Sequence, residues 1–184
     1  MKKKKKSPQK TTSLGRGALA GATAGLVGSW IKSLAEPPLQ RWGEQLFPPR
    51  PAEKIQRGAD VSGHPENMPN AVLAQETSEA IQHHPLSSHE REEASTTIHY
   101  AFGIAVAAGY GLLAEKHPAV TAGGGLLAGA ALWAATHGST IPALGLQAPV
   151  KRMPTAWYVW ELGSHLVYGV VTEGVRRGLR RRVV

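Results

Sequence analysis

Four apolar blocks stand out between longer polar stretches of this chain. They are residues 15–35 (GRGALAGATAGLVGSWIKSLA), 98–114 (IHYAFGIAVAAGYGLLA), 118–137 (PAVTAGGGLLAGAALWAATH) and 156–175 (AWYVWELGSHLVYGVVTEGV). Each is close to the ~20 residues with which an α-helix crosses a hydrocarbon layer ~30 Å thick. All four are rich in Ala and Gly, so a soluble helical bundle is the competing reading. The pattern inside the blocks argues against it. Glycine costs roughly 1 kcal/mol relative to alanine within a helix, yet here it recurs at four-residue spacing. Gly17, Gly21 and Gly25 do so in the first block, Gly103, Ala107 and Gly111 in the second, and Gly125 and Gly129 in the third. Such small-xxx-small stripes let helices in lipid bring their backbones together. The blocks also lack the polar stripe that a bundle helix turns to water, and residues 17–31 and 100–114 carry no charge. The prediction is an all-α fold: an integral membrane bundle of four transmembrane helices, residues 15–184, preceded by a basic tail over 1–14. A long polar loop, residues 36–97, joins the first two crossings.

Composition alone conceals this. Hydrophobic residues make up 42% of the chain and the mean hydropathy is −0.21, values that suit a soluble protein. Charge is as segregated as hydropathy. The net charge of +8 comes mainly from the ends, Lys2–Lys6, Lys10 and Arg16 at one and Arg176, Arg177, Arg180, Arg181 and Arg182 at the other. Both tails on the cytoplasmic side satisfy the positive-inside rule, and four crossings then leave the acid-rich loop outside. Lys151 and Arg152 run against that rule. A cleaved signal peptide is the alternative for the N-terminus, but the apolar run continues to Trp30 and Ile31, so a retained crossing is expected. On this topology Trp30, Tyr100, Phe102, Trp133, Trp157, Tyr158 and Trp160 fall toward the outer ends of their helices, as an interfacial belt.

The absence of cysteine excludes disulfides, thiolate metal sites and a lipoprotein anchor. The lysine run has no helix-turn-helix, RNA-binding aromatic motif or zinc spacing beside it, so nucleic acid is not expected as a partner. The expected partners are the lipid bilayer, anionic lipids at the basic tails and a second copy of the chain through the glycine faces. No phosphate-binding loop, nucleophile elbow or HExxH motif is present, so neither an enzyme nor a cofactor is predicted.

In the loop, Leu39, Trp42 and Leu46 at helical spacing, with Phe47 beside them and prolines at both ends, predict a short amphipathic surface helix over 36–51; a plain exit loop is the alternative. Residues 52–70 read as loop and 71–82 as helix. Ser87-x-x-Glu90 is a capping box that starts a helix leading into the second crossing. His83, His84 and His89 read as exposed loop histidines rather than metal ligands.

The stretches GALAGATAGLVGSWIKSLAEPPLQ, IHYAFGIAVAAGYGLLAEKHP, GLLAGAALWAATHGSTIPALGL and WELGSHLVYGVVTEGVRRGLR, with the ordered set His99, Gly109-Tyr110, Ala114-Glu115, His137, Pro142, Gly145-Leu146, Glu161, His165 and Glu173, resemble the YagU-type inner-membrane protein family from about Gly15 to Arg182. The resemblance implies a bacterial cytoplasmic-membrane protein with several crossings, no established enzymatic activity and a loose association with acid tolerance. The family defines no catalytic residues to carry over.

Glu161 and His165 lie four apart and share one side of a helix. Ionisable groups facing lipid are expensive, so that side should face the bundle interior. His99, His137, Lys32 and Glu36 lie at the outer ends of their helices and should join Glu161 and His165 in one outer-half cluster, with an imidazole donating to Glu161. Glu115 and Glu173 lie at the opposite ends. Two readings of the cluster stay open. A buried polar network can do no more than fix helix register, in a structural or stress-related membrane protein. Alternatively the groups handle protons or a divalent cation, since imidazole suits Zn or Ni and titrates near neutrality.

Overall fold

The computed structural model describes residues 10–182; the lysine run of the N-terminal tail lies outside them. All regular structure among the described residues is helical, with no strand. Five long helices build the molecule: α1 (Lys10–Leu46), α2 (Pro69–Gln82), α3 (Ser88–Lys116), α4 (Leu126–Ala135) and α5 (Gly163–Arg182). α4 continues through a π-helical turn, Thr136–Thr140, into Ile141–Ala143. α5 is preceded by Thr155–Trp157 and a second π-helical turn, Tyr158–Leu162. α1 is the central element and packs along both α3 and α5, while α4 packs on α5 and α2 on α3. Two helical runs, Ser88–Lys116 and Pro118–Ala143, are long and apolar enough to cross a membrane.

Close backbone approach organises both pairings. A Cβ at Gly21 would overlap the carbonyl oxygen of Ala107, and one at Gly111 would overlap that of Gly17. At Gly25 it would come within 2.6 Å of the Gly103 carbonyl oxygen, and Gly103 itself lies against Ser29. On the other side Gly129 faces the His165 carbonyl and Gly125 the Gly169 carbonyl. These glycine faces are occupied within one chain.

Three expectations are corrected. No separate surface helix forms over 36–51, because α1 runs unbroken through Pro37 and Pro38 to Leu46. An interior proline normally costs ~3 kcal/mol or more. Here continuation carries Leu39 to the tryptophan core, Gln40 to Asp60 and Gly43 against Ala156. Trp42, Leu46 and Phe47 point outward. The third block is not one helix from 118 to 137: Gly123, Gly124 and Gly125 take left-handed φ values of 71°, 64° and 97°, and α4 starts only at Leu126. Finally, Trp157 and Trp160 are not part of an interfacial belt. They are fully buried and form a core with Met153 and Ala59, with Trp133 and Tyr158 against it. Trp30 and Phe102 do face outward.

The loop is ordered around that core. Asp60 is buried, and its carboxylate accepts from Gln40 of α1 and from the Gly63 and Ser62 amides, while Lys54 pairs with it at 3.1 Å. Burial alone would push its pKa up; the Gln40, Gly63 and Lys54 donors outweigh that and hold it below the ordinary aspartate value. The Ser87–Glu90 capping box starts α3 as its sequence indicates.

Candidate functional site

The bundle interior holds two polar clusters, one at each end. At the end where the loop emerges, Glu161 sits on the π-helical turn before α5 and His137 on the π-helical turn after α4. Such turns insert a residue into the i→i+4 ladder and are frequent at functional sites. His165 stands one turn further along α5, its Nδ1 3.2 Å from Glu161 Oε1; His137 Nε2 is 3.4 Å from the same oxygen. One ligand atom from each of His137, Glu161 and His165 lies within 4.8 Å of the others. Lys32 of α1 completes the group, with Nζ 3.7 Å from Glu161 Oε1 and in contact with Glu36.

The hydrogen-bond network fixes which ring nitrogens carry protons. Gln147 donates its amide to the His137 carbonyl (3.2 Å), so its Oε1 must accept from His137 Nδ1 (2.6 Å). A neutral His137 therefore turns a lone pair on Nε2 toward Glu161. His165 Nδ1 lies 2.8 Å from the Glu161 backbone carbonyl and donates to it. Neither side-chain oxygen of Glu161 has a hydrogen-bond partner. Of the two imidazoles, His165 stands nearest the expected donor role, with Nδ1 3.2 Å from Oε1, but its shorter hydrogen bond goes to the Glu161 backbone carbonyl. His99 faces the same cavity but bonds to α1: its Nε2 lies 3.2 Å from Ser33 Oγ and 3.3 Å from the Ser29 carbonyl.

Beside Glu161 is a cavity of about 660 Å³ that His99, His137, His165, Lys32 and Glu36 also line. Its rim includes Glu66, Ser88 and Glu92, all exposed. The cavity thus connects the loop surface to the carboxylate, with polar groups set in largely apolar walls that include Val61, Met68, Phe102 and Ile141.

At the other end, Glu173 accepts from Arg176 (2.7 and 2.9 Å), Arg177 and Tyr110 (2.9 Å). Glu115 pairs with Arg180 at 2.6 and 2.8 Å. Three arginines that the charge pattern assigns to the membrane surface are thus engaged within the bundle. The spacing of Arg176 and Arg177, three and four residues after Glu173, is the sequence signal for two of them; Arg180 pairs with Glu115 only through the packing of α5 on α3. Gln147 has no such signal, since it reaches His137 only through the loop fold.

A family profile described as "Protein of unknown function (DUF1440)" matches residues 39–174. The protein named "Inner membrane protein YagU" of Escherichia coli (strain K12) is 39% identical over 87 residues, 46% of this chain and 42% of that protein. The match thus spans less than half of that relative. No solved structure matches the chain.

Proposed function

Because the chain belongs to the YagU-type family of proteins of unknown function (DUF1440), we propose that it is a multi-pass protein of the bacterial cytoplasmic membrane that takes a cation into its loop-end cavity. The membrane assignment draws on the relative's name and on an inverted distribution of side chains. Leu19, Leu26, Trp30 and Leu34 face outward along α1, whereas Lys32, Glu161, His165, Glu173 and Arg176 are buried. That arrangement suits a lipid solvent. The four apolar blocks support four crossings, and the basic residues of the two tails support cytoplasmic termini. The protein carries no catalytic chemistry of its own in this reading. Cysteine introduced at Ser62 should react with an impermeant thiol reagent in intact cells, and cysteine at Thr11 should not; the reverse pattern removes the topology.

One observation carries the cation reading: a buried glutamate whose side-chain oxygens accept no hydrogen bond, at the inner end of a path from the surface. Lys32 stands 3.7 Å from it but is hydrogen-bonded to Glu36, so the charge of the Glu161 carboxylate is incompletely balanced, and a bound cation would neutralise it. Purified protein in mild detergent, equilibrated with a mixture of Na⁺, Mg²⁺, Mn²⁺, Ni²⁺ and Zn²⁺, should retain at least one of them, and Glu161→Gln should release it. Equal retention by both proteins would exclude the reading. The second reading is a structural, stress-related protein, in keeping with the family's association with acid tolerance. The closed Glu173 cluster favours it, since its bond to Tyr110 and the Arg180–Glu115 pair join α5 to α3.

A further inference from the structure

The cation reading leaves the kind of ion open, and the donor set narrows it. Resting on that reading, we infer that His137, Glu161 and His165 form a binding site for a divalent cation of the zinc class, and that Lys32 stands in for the ion until the ion displaces it toward Glu36. The argument begins with two acceptors. His137 Nε2 and Glu161 Oε1 face each other at 3.4 Å, and the Gln147 contact keeps the His137 proton on the far nitrogen. A lone pair aimed at a carboxylate oxygen is repulsive unless positive charge lies between them. Ligands around a tetrahedral zinc, at bonds of about 2.0–2.1 Å, stand about 3.3 Å apart. The His137–Glu161 separation already has that value.

The surroundings match a metal site in two further respects. A ligating histidine commonly donates its other ring proton to a carbonyl or carboxylate, which fixes the ring. Here His137 Nδ1 donates to Gln147 and His165 Nδ1 to the Glu161 carbonyl, which leaves Nε2 of each ring as the nitrogen offered to the ion. Two imidazoles and one carboxylate favour zinc or nickel over magnesium, which takes oxygen ligands in octahedral array. Three protein ligands leave a fourth position, on the cavity side.

Lys32 is the remaining piece. Its ammonium touches Glu36 and stands 3.7 Å from Glu161. One lysine between two glutamates balances either but not both. Its hydrogen bond is to Glu36, one helical turn along α1, and at 3.7 Å from Glu161 its charge still opposes an incoming cation; binding of the ion moves it further onto Glu36. Glu36 then acts on ion affinity only through Lys32.

That last statement gives the test, with zinc and magnesium titrated calorimetrically into the detergent-solubilised full chain. Wild type should bind zinc far more tightly than magnesium, and His137→Ala should abolish the zinc site. If Glu161 is free of the ammonium about a tenth of the time, Lys32→Met should tighten zinc about tenfold. Lys32→Gln serves the same purpose should the methionine variant fail to fold. Glu36→Gln should weaken zinc binding in the wild-type background and have no effect beside Lys32→Met. Equal weakening in both backgrounds would show Glu36 acting through space and would overturn the displacement. Glu161-dependent binding of Na⁺ or Mg²⁺ without zinc preference overturns this inference and leaves the cation reading standing. No Glu161-dependent binding of any ion overturns both.

Discussion

Glu161 and Glu173 occupy the same helical segment, and each is 1% exposed. Around Glu173, Arg176, Arg177 and Tyr110 supply a donor to every lone-pair direction that the bundle closes off. Around Glu161 the nearest groups are an imidazole lone pair, an imidazole whose proton goes to a backbone carbonyl, and an ammonium shared with Glu36. The comparison separates two uses of a buried carboxylate. One is closed by its neighbours and joins helices. The other is left short of donors beside a cavity, an arrangement that stability alone does not favour.

The largest expected effect comes from breaking the closed end. Glu173→Leu strands Arg176, which is itself buried, without its carboxylate. Removing one partner of a buried pair typically costs about 3–5 kcal/mol. Chemical denaturation in detergent should show a loss of that size. A loss under about 1 kcal/mol would mean that water reaches Arg176 and that the two ends do not differ as described.

Next is the helix approach that sets the open cluster. Gly129 of α4 lies against the His165 carbonyl, so Gly129→Leu forces α4 away from α5 and His137 away from Glu161. Overpacking of this kind costs about 1–3 kcal/mol. Gly109→Ala is the control, because a Cβ there meets nothing; it should be neutral or gain up to about 1 kcal/mol from helix propensity. If both variants melt alike, the Gly129 contact does not hold the cluster together.

How far the sequence carries this comparison depends on the residue. The four-residue spacing of Gly17, Gly21 and Gly25 marks the face on which α3 packs, because a close approach leaves a compositional trace. Ser87 and Glu90 mark the start of α3 for the same reason: a cap needs particular side chains. The π-helical turns that carry His137 and Glu161 are marked by neither a cap nor a glycine stripe; at the first, the Ser139 and Thr140 hydroxyls bond the Ala134 and Ala135 carbonyls just before Pro142. Pro37 and Pro38 mislead outright. Their local preference is to end a helix, and tertiary contacts of Leu39, Gln40 and Gly43 outweigh it. The outer-half cluster is legible as a set of polar residues in apolar blocks, but its proton positions depend on Gln147, which only the folded loop brings near.

A smaller, local effect concerns the loop near the cavity rim. Asp60 has its pKa lowered by Gln40, the Gly63 amide and Lys54 against the opposing effect of burial. A depressed carboxylate pKa contributes stability that is complete above the unfolded value, about 3.9, and is lost as pH falls through the folded value. The loop should therefore stay clasped to α1 through mild acid and release only below about pH 4. The amide resonances of Ser62 and Gly63 report this directly. A titration midpoint above about 3.9 would show that the clasp does not favour the charged aspartate.

The smallest expected change in stability is also the sharpest test of the open end. Glu161→Gln removes the charge but keeps the shape. The wild-type side-chain oxygens have no well-formed hydrogen bond, only the longer contacts to His165 Nδ1 and Lys32 Nζ, so little is lost. Lys32 keeps its contact with Glu36. The new amide brings a donor, and His137 Nε2 offers a lone pair at the distance where Glu161 Oε1 now stands, 3.4 Å. A small rotation converts the opposed acceptors into a hydrogen bond worth about 0.5–1.5 kcal/mol. In metal-free buffer the variant should therefore match or slightly exceed wild type in denaturation midpoint. Zinc should raise the midpoint of the wild type and leave that of the variant unchanged, since only the wild type gains binding free energy on folding. A metal-free loss approaching that of Glu173→Leu would mean that His137 Nε2 carries a proton and donates it to Glu161. The carboxylate would then be closed by its neighbours, and the contrast between the two ends would disappear.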